Sequence, residues 1–307
     1  MNLEDLRVFV AVCEAGTLSA VGRELGCTQP AVAQRVTRLE REVGVALLDR
    51  RPRGVVPTPA GEIMRRAAVD AIGLLRGAMR ELDALRTGRA GSVRLCTGPT
   101  TVQHFMQRSI VAFRRRYPEV SLDLWPRSST RGCLEELTRQ PLDLAFVTVG
   151  IPWSGVEQRA VLEASHVLLV REDHRLARRK TIRAGELRDL SFIGLRSYIS
   201  PASQLARELA EHGVVIRATT VVEDWDTAAM MVGLGLGEAI VPSVHASSFV
   251  RGGKVHAVRI RGLQPMRFGW AARRFADLAP VSKDFVALVD QSLARLGELP
   301  GCRYLPT

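Results

Sequence analysis

The chain has 307 residues, 46% hydrophobic and 24% charged, with 43 Lys and Arg against 32 Asp and Glu for a net charge of +11. This balance fits a soluble globular protein with room for two or three domains and a real core, and the basic excess fits a polyanion partner. It excludes a membrane span, an export leader and a disulfide framework: the longest largely apolar stretch, Ala228–Pro242, is broken by glycines and Glu238, MNLEDLRVFV has no basic leader, and Cys13, Cys27, Cys96, Cys133 and Cys302 form no CxxC pair. Reduced thiols in a cytosolic protein, with no zinc site, are the expectation. Charge alone does not single out the N-terminus, because residues 1–90 carry 14 arginines against 11 acids and the rest of the chain holds the other +8.

Leu3, Leu6, Phe9, Val10 and Cys13 recur at helical spacing and predict a first amphipathic helix ended by Gly16. Thr17 or Ser19 can cap a second, with Leu18, Val21 and Leu25 facing inward, before Gly26 breaks the chain. Two short helices joined by a tight glycine-containing turn form a helix-turn-helix pattern. A third helix begins at TQPAVAQRVTRLE, residues 28–40, with Thr28 as N-cap and Pro30 in the first turn, where its missing N–H costs nothing. Val32, Val36, Leu39 and Val43 make its apolar stripe. The other face shows Gln29, Ala33, Gln34, Thr37 and Arg38: amides, a methyl, a hydroxyl and one cation, with no carboxylate. Such a face suits the major groove, where amides pair with adenine and a methyl meets thymine, and a helix entering N-terminus first puts Gln29, Pro30, Ala33 and Gln34 nearest the bases. An ordinary solvated helix face is the competing reading, outweighed by the turn, the cap and the basic segment that follows.

That segment, LLDRRPRGVVPTPAGE at residues 47–62, sets Arg50, Arg51 and Arg53 around Pro52 with Gly54 behind, and reads as a short hairpin whose arginines meet phosphates. From Ala60 to Arg86 the spacing predicts one long helix, with Ile63, Ala67, Ala71, Leu74, Ala78, Leu82 and Leu85 close to a heptad seam. Pairing with a second copy is the preferred reading of that seam, and packing on the protein's own second domain is the alternative. Thr87–Ser92 reads as a hinge.

Strand and helix patterns alternate from residue 92 on. Strands are expected at Val93–Thr97, Val120–Trp125, Leu142–Val147, Val167–Val170, Phe192-Ile193, Val214–Val222, Ala239–Val241 and Arg267–Ala271. Helices are expected from the first strand to Tyr117, around Leu134–Leu137, over about Pro201–Glu211, at Thr227–Val232 and from Val281. Such alternation means an α/β fold. GLGLGE at 233–238 is not a nucleotide loop, because Glu238 replaces the last glycine and the order is helix, glycines, strand; a helix C-terminus with glycine stops explains it. His104, His166, His174, His212, His245 and His256 show no HExxH spacing and no serine sits in a GxSxG elbow, so no catalytic set, metal site or cofactor is expected.

The ordered combination in FVAVCEAGTLSAVGRELGCTQPAVAQRVTRLEREVGVALLDRRPRGVVPTPAGE, residues 9–62, resembles a LysR-type transcriptional regulator, and the match runs nearly end to end. The resemblance implies an N-terminal all-α winged helix-turn-helix (1–59), a dimerising linker helix and hinge (60–90), and a two-lobed effector-binding domain (91–307) of the α/β class, like the type 2 periplasmic binding proteins. Lobe I is placed at about 91–162 and 268–300, and lobe II at about 163–267. Four positions depart from the family's usual pattern: Ala33 for serine, Gly22 for alanine at a cost of up to ~1 kcal/mol, Leu48 for phenylalanine, and Pro57 for leucine, which makes that strand an edge.

An effector is expected between the lobes, where strand ends meet helix starts. Gly98-Pro99-Thr100-Thr101 follows the first strand and opens a helix whose unpaired N–H groups suit an anion. Ser128-Ser129-Thr130 repeats the arrangement, Thr148 follows the third strand, and Arg196, Ser200 and Trp225 lie in comparable turns of lobe II. Each hydroxyl taken singly reads as a helix cap, and Trp225 reads as core more readily than as ligand wall. The repeat at several strand ends, with the cleft the resemblance implies, points to a small carboxylate or other organic acid.

The function expected is therefore a sequence-specific, effector-responsive regulator of transcription in the cytoplasm, not an enzyme, reading double-stranded promoter DNA as a homodimer or homotetramer with no membrane partner. The resemblance implies a dimer of dimers that bends its site and contacts RNA polymerase. A solute-binding protein would account for two lobes but not the helix-turn-helix, and an architectural DNA-binding protein would account for the charge but not 200 residues of α/β chain.

Overall fold

The computed structural model describes residues 1–52, 54–87, 91–200, 203–250 and 253–306, with side chains at all of these except 76, 80, 81, 83–87 and 197. The chain divides into two compact units, Met1–Gly88 and Arg89–Thr307.

The first unit contains helices α1 (Leu3–Ala15), α2 (Leu18–Glu24) and α3 (Gln29–Val43), an antiparallel hairpin of β1 (Leu48–Arg51) and β2 (Gly54–Pro57), and the 29-residue helix α4 (Pro59–Thr87). Each short helix starts on a capping oxygen: Asn2 accepts from the Asp5 N–H at 2.9 Å, Thr17 from Ala20 at 3.3 Å and Thr28 from Ala31 at 3.4 Å. Val8, Val12, Val21, Val32 and Val36 pack as one cluster, and Phe9, Leu39 and Leu47 as a second. Val43, placed in the buried stripe by its spacing, is instead 36% exposed, because it is the last residue of α3 and lies past the packed turns.

Backbone contacts that only glycine permits fix the hairpin. Gly54 has φ +139°, and a Cβ there would stand 2.2 Å from the Gly16 carbonyl oxygen, which accepts the Val55 N–H at 2.8 Å. Gly22 plays a similar part in the α2–α3 turn: a Cβ would lie 2.9 Å from the Cys27 carbonyl oxygen, so its cost in helix propensity accompanies close packing of the two helices. The Thr58 hydroxyl donates to the Ala46 carbonyl at 2.8 Å and accepts from the Gly61 N–H at 2.9 Å, tying the hairpin to the start of α4.

On α4, Ala68 and Ile72 are buried, while Ile63, Leu74 and Leu82 of the seam are each more than half exposed, together with Met79. Ala67 and Ala78 are exposed too, and Ala71 is half-buried. The Leu85 side chain lies outside the described residues, as do positions 88–90 of the hinge and Arg53 in the hairpin turn.

The second unit starts with β3 (Ser92–Thr97) and α5 (Pro99–Thr101), which runs through a π turn at Val102–Met106 into α6 (Gln107–Arg116). β4 (Ser121–Pro126), α7 (Thr130–Arg139), β5 (Leu144–Thr148) and β6 (Glu157–Ala164) complete the first passage. β7 (His166–Arg171), β8 (Thr181–Arg183), β9 (Phe192–Leu195), α8 (Arg196–Ile199), α9 (Gln204–Glu211), β10 (Ala218–Val222), α10 (Trp225–Gly233), β11 (Ala239–Pro242), α11 (Ser243–Val250) and β12 (Val255–Arg261) follow. β13 (Met266–Ala272), α12 (Pro280–Leu296) and β14 (Cys302–Tyr304) end the chain.

Six strands form one sheet in the order β14-β6-β13-β5-β3-β4; a second has the order β11-β7-β12-β8, and the parallel pair β9-β10 joins it through a bridge between Phe192 and Glu238. The chain leaves the first sheet after β6 and returns at β13, which makes two lobes. Each has its own core: Phe105, Phe113, Phe146, Trp270 and Phe285 in the first, Leu169, Trp225, Val232 and Val241 in the second.

Several boundaries differ from the sequence reading. Glu163 and Ala164 belong to β6, and Met266 and Arg267 to β13, so the first sheet reaches further than a change of lobe near 163 and 268 implies. The segment read as a strand over Val214–Val222 is extended in the sheet only from Ala218, with Val214 buried in the second lobe and Val215 70% exposed. Strands β6 and β12 went unread because EQRA and VHAVRIR put polar residues at the solvent-facing positions and leave short apolar content.

Gly54→Ala forces a Cβ against the Gly16 carbonyl in a left-handed conformation, and is expected to destabilise the first unit by about 2–3 kcal/mol. All tryptophans and tyrosines lie beyond residue 116, so loss of helical circular dichroism during denaturant unfolding, compared with unchanged tryptophan fluorescence, measures this unit separately.

Candidate nucleic-acid interface and lobe boundary

α3 is seated on α1 and α2 by Val32, Val36 and Leu39, all 5% exposed or less, which turns its other side outward. Thr28, Gln29, Pro30, Gln34, Thr37 and Arg38 are exposed there, and Ala33 is half-buried between them. The Ser19 hydroxyl of α2 donates to Oε1 of Gln29 at 2.8 Å, a contact that does not use the amide nitrogen of Gln29.

Arg38 stands differently from the sequence reading. Its Nε donates to Asp5 Oδ2 at 3.0 Å and its terminal nitrogen to Asp5 Oδ1. Asp5 is buried in α1. The guanidinium thus makes a two-point clamp from α3 to α1, so this side of α3 does meet a carboxylate. The Arg38 hydrogen bond holds the Asp5 carboxyl below the usual carboxylate range against the opposing effect of burial. Of the hairpin arginines, Arg50 pairs in register with Val55 and Arg51 with Gly54, and both are exposed.

In the second unit the strand-end residues fall into three groups. Ser129 caps α7 by accepting from the Gly132 N–H at 3.1 Å, and Thr130 accepts from the Thr148 N–H at 3.3 Å, so the start of α7 is tied to the end of β5. Ser128 next to them is exposed. Thr148 donates its hydroxyl to Met266 Sδ at 3.9 Å, and the Tyr198 hydroxyl of the second lobe meets the same sulfur. Thr100 is buried and Thr101 half-buried at the start of α5. The supply of unpaired N–H groups there is smaller than expected, because Pro99 has none and those of Thr101 and Val102 bond to the Gly98 carbonyl at 3.0 and 3.2 Å.

Arg196 is exposed and paired with Glu223 through Nε at 2.5 Å, and Ser200 is half-buried at the end of α8. Trp225 is core: it is 9% exposed, with Tyr198 edge-on at 4.5 Å between ring centres.

Sequence reasoning missed an imidazole cluster at the lobe boundary. His104 Nε2 lies 2.8 Å from Asp226 Oδ1, joining the π turn of the first lobe to the first turn of α10 in the second. His245 stacks on Phe105 at 4.9 Å and 20°, and burial pushes its imidazole down to about 3. His166, buried at the start of β7, is pushed down to about 4 for the same reason. His104 and Asp226 are 122 residues apart, so no local spacing signals the pair. Among the described residues no group of three His, Cys, Asp or Glu side chains is arranged to hold a metal, and no helix is long and apolar enough to cross a membrane.

Comparison with known proteins agrees with both units. Residues 3–62 match the model for the bacterial regulatory helix-turn-helix protein, lysR family, and residues 86–294 match the LysR substrate binding domain. The chain is 30% identical over 244 residues to a probable hydrogen peroxide-inducible genes activator of Streptomyces viridosporus, covering 78% of this chain and 77% of that protein. It is 27% identical over 257 residues to the transcriptional activator protein LysR of Escherichia coli, covering 83% and 82%. Among solved structures, hydrogen peroxide-bound OxyR of Corynebacterium glutamicum superposes with a TM-score of 0.60 at 19% identity, over 96% of this chain and 93% of that one. Full-length CbnR in complex with its target DNA superposes at 0.54 and 23% identity, over 95% and 100%.

Asp5→Asn weakens the clamp on α3 and is expected to cost the first unit about 1–2 kcal/mol at neutral pH. The Asp5 pKa is lowered on folding, so its contribution is complete above pH ~4 and is lost as pH falls through the lowered value. Denaturant unfolding followed by circular dichroism at pH 7 and pH 3 checks both: the gap between the two proteins narrows at the lower pH.

Proposed function

The chain belongs to the LysR family, DNA-binding regulators of transcription with an effector-binding domain, and from that premise we propose how it reads DNA and what class of molecule it answers to. Two first units, paired through α4, lay their α3 helices in successive major grooves of one operator. Gln29, Pro30, Ala33 and Gln34 address base edges, with Thr28 and Thr37 beside them. Arg50, Arg51 and Arg53 of the hairpin hold backbone phosphates. Arg38 acts first on α1, through Asp5, and keeps α3 at the angle these contacts need.

The observation that carries this reading is the exposed amide face of α3, fixed from behind by a buried stripe and from the side by a hairpin whose backbone touches Gly16. Support for pairing through α4 comes from its uncovered seam, since Ile63, Leu74, Met79 and Leu82 are all more than half exposed. An amphipathic helix of this length is stabilised by burying such a stripe against another helix.

The effector is a small carboxylate held between the lobes. Hydroxyls of Thr100, Thr101, Ser128, Ser129, Thr148 and Ser200 at strand and helix ends support it, with Trp225 contributing to the wall from behind and Arg196 reaching the acid only by leaving Glu223. Effector binding changes the angle between the lobes, and by linkage operator DNA changes effector affinity by the same factor. Assembly as a homodimer or homotetramer and contact with RNA polymerase belong to this reading, as does action in the cytoplasm.

Operator sequences selected from random duplex by the wild-type protein provide the test. Gln34→Ala is expected to relax selectivity at one base pair per half-site by about 1–3 kcal/mol. Arg50→Ala is expected to weaken all sequences alike and to reduce the salt slope by about 1. A Gln34→Ala protein with undiminished selectivity removes α3 from the bases.

A further inference from the structure

The polar contact between His104 and Asp226 sits in apolar surroundings where two separately packed lobes meet. His104 comes from the π turn that follows β3, beside Phe105 and Met106 of the first lobe's core. Asp226 comes from α10, beside Trp225 of the second lobe's core. The groups facing His104 from the second lobe are Asp226 on α10 and, on α11, His245 and Phe249, which stand edge-on to its ring at 5.7 and 5.6 Å. Nearby, Asp224 caps α10 through the Thr227 N–H at 2.8 Å and is occupied there.

His245 is 1% exposed, its Nδ1 has no hydrogen-bond partner, and it is held by ring contacts with Phe105, Phe268 and Trp225. Burial keeps it neutral, with a further push from His104, so it does not compete as a cation for Asp226. α11 itself is shared, since Val244 packs with the first core and Ala246 with the second. The lobes therefore meet through apolar contacts, which have no preferred angle, through neutral hydrogen bonds such as Ser243 Oγ to the Gly301 carbonyl at 3.0 Å and Tyr198 to Met266, and, between His104 and Asp226, through a contact to a carboxylate. The His104 side chain is 13% exposed and that of Asp226 35%, so the pair is dry enough to be strong and open enough on one side to be reached.

We propose that His104 and Asp226 form a latch that sets the resting angle between the two lobes, and that the effector acts by breaking or remaking it. The latch itself rests on the geometry; its link to an effector rests on the function proposed above. A coupling between sites needs an element with two arrangements, and a charge-assisted contact that can be made or broken across a largely apolar boundary supplies one.

Hydrogen–deuterium exchange on the full chain without DNA tests the latch independently of that function. His104→Phe keeps a ring against His245 and Phe249 but removes the donor. It is expected to speed exchange about tenfold in three places together: Val102–Met106, α10 and α11. His104→Gln keeps a donor at the position of Nε2 and is expected to restore protection in all three, an outcome that a purely space-filling role for His104 does not give. α7, which touches neither residue, is the internal control. The latch is refuted if His104→Phe exchanges like the wild type, if the change stays within Val102–Met106, or if His104→Gln behaves like His104→Phe. Failure to select any operator would overturn the proposed function and leave the exchange result standing.

Discussion

The seating of α3 is the constraint on which the first unit depends. A recognition surface has value only if its side chains keep their places, and helices this short are not stable alone. Here Val32, Val36 and Leu39 bury one side of α3 against α1 and α2, and the Arg38–Asp5 clamp fixes its rotation about that contact. With the buried side fixed, the period of the helix decides what its first turns present outside: two glutamines, a proline, a threonine and a small methyl, with Arg38 beside them. The hairpin inherits its position from the same core, because Gly54 lies against the Gly16 carbonyl at the end of α1.

Much of this was legible in the sequence because the signals are local. Caps, glycine stops and apolar spacing fall within single helices, and the caps at Thr17 and Thr28 and the left-handed Gly16 are found where the residues place them. The α/β class of the second unit was legible for a related reason, since buried strands read as short apolar runs. What could not be read depends on residues far apart in the chain. Arg38 looks like a cation for DNA until α1 brings Asp5 beside it from 33 positions away. Strands β6 and β12 hide behind polar residues that only the sheet turns to solvent.

The second unit shows the same division. The strand-end hydroxyls could be located from the sequence, and Ser129 caps a helix as each of them taken singly reads, but two bonds were not legible: Thr130 ties the start of α7 to the end of β5, and Thr148 leans on Met266. These bonds stiffen the edge of the first lobe. The contacts that join the lobes include those of His104, His245, Tyr198 and Asp226; the two histidines show no catalytic spacing in the sequence, and nothing local marks Tyr198 or Asp226. A regulator needs this combination, with rigid lobes and a boundary between them that can take more than one arrangement.

The central claim is that the exposed face of α3 lies in the major groove of two symmetry-related half-sites. Cys27, the exposed cysteine among the described residues, stands in the turn just before α3 and offers a way to see it. An iron chelate attached to that thiol cuts the DNA strand nearest to it. The account predicts two clusters of cuts, related by a dyad and separated by a whole number of helical turns of ~10–10.5 base pairs. Diffuse cutting along the operator, or a single cluster with no symmetry mate, would contradict it.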